Sequence, residues 1–258
     1  MSINSLTLRS INARAVNVPM RRPLRTSGGS VEVAPLVLLD LETEQGVTGR
    51  SYVFVYTSVA LKPVKALLQE LEPILVGKPA QPFALEKELR AKFRLLGPQG
   101  LTGIAMAALD MAAWDACARL QEVPLAGLLG GASRPIQAYN SCGLGIIGPE
   151  QASREARELV GEGFSAIKIR LGYPDLAEDL AVVESVRESV GAGVGLMVDY
   201  NQSLSVPEAR RRCEALDRFG LEWIEEPTSA DDDAGHAKIT RACSTPIQIG
   251  ENWWGSHE

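Results

Sequence analysis

A parallel α/β barrel-type domain, preceded by a smaller α+β domain, is predicted by three observations. Three acids recur at one interval: Asp199 ends Gly195-Leu-Met-Val-Asp199, Glu225 ends Leu221-Glu-Trp-Ile-Glu225, and Glu251 follows Ile247-Gln-Ile-Gly250, with 26 residues from each to the next. One strand, one helix and two short loops occupy about that length, so each acid is expected at the same place in successive βα units. Beyond Gly130-Gly131 and Pro135, short apolar runs alternate with amphipathic stretches. Before that break, strand-like runs come first and helical ones follow. Two domains are therefore expected, 1–131 and 132–258.

Within the first, residues 3 to 19 alternate and end at Pro19, a strand pattern. Met20 to Ser30 is expected to be a loop, with a Gly-Gly hinge and the arginines Arg21, Arg22 and Arg25. Val33 to Leu41 and Val47 to Val55 flank Glu42-Thr-Glu-Gln-Gly46 and predict a hairpin. Helices are expected at Ser58 to Val76, Ala84 to Leu95 and Leu101 to Leu120, the last so rich in alanine that it should pack closely on several sides. Asp110 and Asp115 on it read as helix-surface or interface carboxylates. In the second domain, strands are expected at Ile136 to Ser141, Ser165 to Arg170, Gly195 to Asp199, Leu221 to Glu225 and Ile247 to Gly250. Helices are expected at about 149–162, 176–190, 206–219 and 232–243, the third opening with a Ser205 cap and Pro207. Eight strands close such a barrel. The sequence reaches Glu258 just after the fifth, so the barrel is expected to be incomplete in this chain.

A chain of 258 residues with 45% apolar content can bury a sizeable core. Its net charge is −6, and no Lys/Arg block suggests a nucleic-acid surface or a membrane-proximal patch. The N-terminus lacks a signal-peptide core and no run approaches 18 uninterrupted apolar residues, so a cytoplasmic protein is expected. Cys117, Cys142, Cys213 and Cys243 show no paired spacing and are expected as small buried or half-buried thiols. A phosphate-binding loop is not supported: Gly143-Leu-Gly145 lacks the third glycine and the helix start.

The chemistry is expected at the C-terminal strand ends, where parallel α/β barrels build their sites. Asp199, Glu225 and Glu251 converging there would repel one another unless a cation lay between them, and a hard, oxygen-preferring divalent ion, Mg²⁺ first, suits three carboxylates. One strand earlier, Lys168 and Arg170 alternate and so face the same side.

These residues resemble the enolase superfamily, and within it the mandelate racemase / muconate lactonizing enzyme family. The matching stretches are Val198-Asp-Tyr-Asn-Gln202, Trp223-Ile-Glu-Glu-Pro227, Gly250-Glu-Asn-Trp253, Ala108-Leu-Asp-Met-Ala-Ala-Trp-Asp115 and Pro124-Leu-Ala-Gly-Leu-Leu-Gly130. The resemblance implies an α+β capping domain followed by a (β/α)7β barrel, and Mg²⁺ bound by Asp199, Glu225 and Glu251. It implies substrate or metal-shell contacts from Ser141 and Asn201, a supporting acid in Glu226, and Lys168 as the first lysine of the family's Lys-x-Lys motif. The implied reaction is removal of the proton α to the carboxylate of a hydroxycarboxylate, giving an enediolate stabilised by the metal, in an enzyme that self-associates.

Arg170 stands where the family has its second lysine. A guanidinium with a pKa above about 12 is a poor general base and a good carboxylate or hydroxyl clamp. The family's opposite-face histidine belongs to late strands that this sequence does not reach. His236 reads as part of a surface helix and His257 as tail. Three outcomes therefore stay open: racemisation, acid-sugar dehydration favoured by Arg170 and the arginines of 21–25, or a fragment that keeps the metal carboxylates without turnover.

Overall fold

The computed structural model describes residues 6–253. They divide into two compact units, one made of residues 6–19 and 33–135, the other of residues 20–32 and 136–253.

Strands β1 (Leu8–Thr26), β2 (Gly29–Thr43) and β3 (Thr48–Phe54) form a sheet in that order, and helices α1 (Ser58–Leu75), α2 (Pro82–Lys92), α3 (Gly100–Leu120) and α4 (Leu125–Leu128) follow. The hairpin of β2 and β3 is antiparallel, from Leu36 opposite Phe54 to Glu42 opposite Thr48. Thr57 caps α1 by accepting a hydrogen bond from the Val59 amide. Helix α3 buries Ala105, Ala108, Leu109, Ala112, Ala113 and Ala116, and β3, α1 and α2 pack on it. Contact with β3 is so close that a Cβ on Gly49 would lie 1.9 Å from the Ala112 carbonyl oxygen. Asp115 ties the two together by accepting from the Arg50 amide at 2.8 Å, and Asp110 is half-buried, its carboxyl raised in pKa first by that burial and then by Glu86. By length and composition alone α3 could cross a membrane, the one such helix among the described residues, but its alanine face belongs to this core.

The stretch expected as a loop at 20–30 is instead strand: β1 runs on to Thr26 and β2 begins at Gly29. Pro19, expected to end the first strand, and Pro23 are tolerated because β1 is an edge strand and its missing amides need no sheet partner. This ribbon belongs to the second unit. Arg25 accepts a hydrogen bond from the Ile146 amide at 2.8 Å, and Arg22 pairs with Glu158 at 2.7 Å. Gly145 permits the approach, since a Cβ there would stand 2.5 Å from the Arg25 carbonyl oxygen.

The second unit continues with α5 (Pro149–Gly161), β4 (Ala166–Arg170), α6 (Leu176–Val190), β5 (Gly195–Asp199), α7 (Val206–Leu216), a 3₁₀ turn (Asp217–Phe219), β6 (Ile224–Glu225), α8 (Asp233–Thr240) and β7 (Ile247–Gln248). All four strands pair in parallel, in the order β4-β5-β6-β7. The strand expected at Ile136 to Ser141 shrinks to one parallel bridge between Asn140 and Ile167. It has a single sheet neighbour and no apolar layer to hold it, with Ile136 left 70% exposed. Ile167, Ile169, Leu196, Val198 and Ile224 form the core beneath α5, α6 and α7.

Two side chains depart from expectation. Cys142 is exposed rather than buried, because its segment is loop instead of strand; all four cysteines are free thiols. His236 is only 3% exposed, not on a surface: Nδ1 lies 3.1 Å from the Asp232 carbonyl oxygen and Nε2 is buried without a hydrogen-bond partner. An eight-residue helix is too short for its periodicity to show which face turns inward. His257, and residues 3–5 of the first expected strand, lie outside the described residues.

A buried polar cluster ties the ends of β4 and β5 to α7. Asp179, fully buried on α6, accepts from the Gly172 and Tyr173 amides, each at 3.0 Å, from the Tyr200 hydroxyl at 3.0 Å and from Arg212 at 2.6 Å. Arg212 also donates to the Tyr173 and Pro174 carbonyls and to Glu208. Hydrogen bonds from Arg211, then Arg212, bring the Glu208 carboxyl down to about 2 from its ordinary value of 4.5. A depressed carboxylate stabilises the fold above its unfolded pKa, and that contribution is lost as pH falls through the folded one. Stability should therefore drop between about pH 4.5 and 2, and Glu208→Gln should flatten that part of a thermal-denaturation series against pH. An unchanged acid limb would discount the pair.

Candidate metal centre

In the parallel sheet Arg170 pairs with Asp199, Asp199 with Glu225, and Glu225 with Gln248. The first two acids thus end adjacent strands at one height, as their spacing predicts. Glu251 does not: it lies in the turn three residues beyond Gln248, so the equal interval is not an equal register. The unit from β5 to β6 carries α7 plus a 3₁₀ turn, whereas the next has the shorter α8, so fewer residues separate strand ends there. The turn nonetheless returns Glu251 to the others, and carboxylate oxygens of Asp199, Glu225 and Glu251 lie within 4.8 Å of one another.

Lys168 and Arg170 project from alternate positions of β4 into the same cluster, both buried. Lys168 Nζ donates to Glu225 Oε1 at 2.7 Å and stands 3.1 Å from Asp199 Oδ2. Arg170 Nη1 donates to the Ser141 carbonyl at 3.0 Å, and its Nε is 3.8 Å from Asp199 Oδ2. Both cations lie within ion-pair range of that oxygen, yet Asp199 Oδ2 and Arg170 Nε are buried without an aligned hydrogen bond. Burial opposes the charged form of Lys168, but Asp199 and Glu225 outweigh it and raise its pKa, which keeps it an ammonium. Glu251 is the solvent-facing member; partial desolvation of its carboxyl, then the charges of Asp199, Glu226 and Glu225, raise its pKa against the pull of Lys168.

Asn201 donates its amide to Asp199 Oδ1 at 2.8 Å, and its own side-chain Oδ1 is buried without a partner. Glu226 accepts from Gln202 Nε2 at 3.0 Å and from Asn252 Nδ2 at 3.0 and 3.2 Å. Asn201, Gln202 and Glu226 all have left-handed backbones, with φ of 46°, 65° and 35°. Such strain in non-glycine residues is held only where surrounding structure imposes it, and it concentrates at functional sites. Ser141 contributes its carbonyl, which accepts from Arg170 Nη1.

Sequence reasoning missed Trp223, whose Nε1 donates to Glu225 Oε2 at 3.0 Å, and Asn252 and Gln202, which orient Glu226. Trp223 was legible in principle, since a residue two before Glu225 on a strand shares its face. Converging hard oxygen donors, an unpartnered carboxylate oxygen and four acids against two cations fit a small divalent cation such as Mg²⁺.

A parallel α/β sheet carrying this cluster at its strand ends defines a metal-carboxylate site of the barrel-enzyme class. Residues 9–130 match the family model described as mandelate racemase / muconate lactonizing enzyme, N-terminal domain, and residues 151–258 match the enolase C-terminal domain-like model. A solved enolase from Bradyrhizobium, complexed with magnesium and mandelic acid, is 45% identical, with a TM-score of 0.92 over 98% of this chain and 70% of its own. The 3,6-anhydro-alpha-L-galactonate cycloisomerase of Streptomyces coelicolor is 31% identical over 92% of this chain and 66% of its own length. The L-talarate/galactarate dehydratase of Salmonella typhimurium is 37% identical over 60% of this chain and 39% of its own. The chain belongs to the mandelate racemase / muconate lactonizing enzyme family of the enolase superfamily. It spans two thirds or less of the length of these curated relatives.

Proposed function

We propose that this protein acidifies the proton α to the carboxylate of a small hydroxycarboxylate for transfer to a general base, with magnesium held by Asp199, Glu225 and Glu251. The observation that carries the reading is the convergence of those three carboxylates within 4.8 Å beside Lys168. When bound, magnesium supplies positive charge against the negative charge that develops on the substrate carboxylate as the proton leaves. Lys168, held protonated, adds a fixed cation in a buried setting where charge is weakly screened. Arg170 Nε offers a free donor to a carboxylate or hydroxyl oxygen, and Asn201 Oδ1 offers an acceptor to a substrate hydroxyl. Glu226, fixed by Gln202 and Asn252, adds negative charge beside Glu251 and supports the cation site. Relatives named for sugar-acid dehydration and cycloisomerisation, and a neighbour holding mandelic acid, support the substrate class.

A second reading, magnesium binding without turnover, is favoured by Arg170 in place of the family's second lysine, since a guanidinium is a poor general base. Incubation with Mg²⁺ and a panel of α-hydroxycarboxylates in D₂O separates the two. Deuterium entering the α-carbon, or a 2-keto-3-deoxy acid accumulating, is the expected result. No exchange with any substrate, while magnesium still binds, leaves only the second reading.

A further inference from the structure

Two aromatic rings in mutual contact touch the ion cluster, one at Glu225 and the other at Lys168. Trp223 Nε1 donates to Glu225 Oε2 at 3.0 Å, while Glu225 Oε1 accepts from Lys168 at 2.7 Å. Lys168 Nζ in turn lies 5.8 Å from the centre of the Tyr139 ring, in cation–π range. The two rings meet edge to face, with centroids 5.5 Å apart and planes at 82°. With Met197, Ala166 and Gly195 they line a cavity of about 350 Å³. The indole therefore borders open space, and its N–H bond to Glu225 constrains both groups.

We infer that Trp223, supported by Tyr139, is a positioning residue for the metal centre: its indole N–H fixes the Glu225 carboxylate and thereby sets affinity for the divalent cation. Trp223, whose indole N–H is a donor only, cannot itself ligate the cation and acts through Glu225. A carboxylate with one oxygen anchored presents the other in a defined direction, and without the anchor it must be ordered when the cation binds. Loss of such a supporting donor typically costs about 10–100-fold in metal affinity. The inference rests on Glu225 being a magnesium ligand, as proposed above.

The test is calorimetric titration of the protein with MgCl₂, comparing wild type, Trp223→Phe and Glu225→Gln. Phenylalanine keeps a ring and removes the donor, so Trp223→Phe should weaken Mg²⁺ binding about tenfold with little change in thermal midpoint. A purely structural tryptophan would show the reverse, a lower midpoint with affinity within twofold of wild type, and that result overturns the inference. If Glu225→Gln also leaves affinity unchanged, the ligand assignment itself fails, which is a different outcome. Should Trp223→Phe not fold, the wild-type indole ¹H–¹⁵N resonance of Trp223 serves instead. It should shift on addition of MgCl₂ and shift again in Glu225→Gln; a signal indifferent to both overturns the inference equally.

Discussion

Glu225→Gln is expected to lower magnesium affinity by more than about a hundredfold, since it removes a proposed ligand rather than a residue behind one, and the latter alone costs about 10–100-fold. The substitution preserves size, so the loss reads chemistry rather than packing. Both oxygens of Glu225 accept from donors, Oε1 from Lys168 and Oε2 from Trp223. A glutamine can turn its carbonyl to only one of them and must set its NH₂ against the other. Whichever rotamer it takes, either the buried Lys168 or the half-buried Trp223 is left facing a donor. One negative charge is also gone from a site whose attraction for a hard cation comes from carboxylate count. Calorimetry with MgCl₂ measures the effect, and an affinity within twofold of wild type would remove Glu225 from the ligand set.

Part of this centre was legible because it obeys local periodicity. A strand alternates, so Lys168 with Arg170 and the terminal positions of Asp199 and Glu225 follow from spacing alone. Glu251 was found for an imperfect reason. Its interval matches, but its register does not, and only the turn after β7 brings it back. Register depends on the length of the intervening helix, which single-sequence periodicity locates poorly. The ribbon at 20–30 was misread because Gly28-Gly29 marks only its tight turn and not a loop, while the edge strand β1 accommodates Pro19 and Pro23. Contacts joining residues far apart in the chain left no local trace. Arg212 and Asp179 are 33 residues apart; the spacing of Ala209, Cys213 and Leu216 puts Arg212 on the inward face of α7, but nothing local marks Asp179 as its partner.

That pair carries the largest expected effect on stability. Arg212→Met should destabilise the second unit by about 3–5 kcal/mol, the usual result of stripping one partner from a buried ion pair. The side chains of Arg212 and Asp179 are 5% and 0% exposed, so water cannot replace the lost guanidinium. Asp179 would keep three donors, the Gly172 and Tyr173 amides and the Tyr200 hydroxyl, which places the cost toward the lower end of that range. The Tyr173 and Pro174 carbonyls would lose their donor as well. Glu208→Gln is the control within the same cluster. Its side chain is 30% exposed, and its pairs with Arg211 and Arg212 are of the kind worth at most about 1 kcal/mol. Urea denaturation of the three proteins at neutral pH should therefore rank Arg212→Met far below Glu208→Gln, with Glu208→Gln near wild type. Equal midpoints for the two variants would mean that the surface half of the cluster, not the buried pair at the ends of β4 and β5, holds this part of the fold.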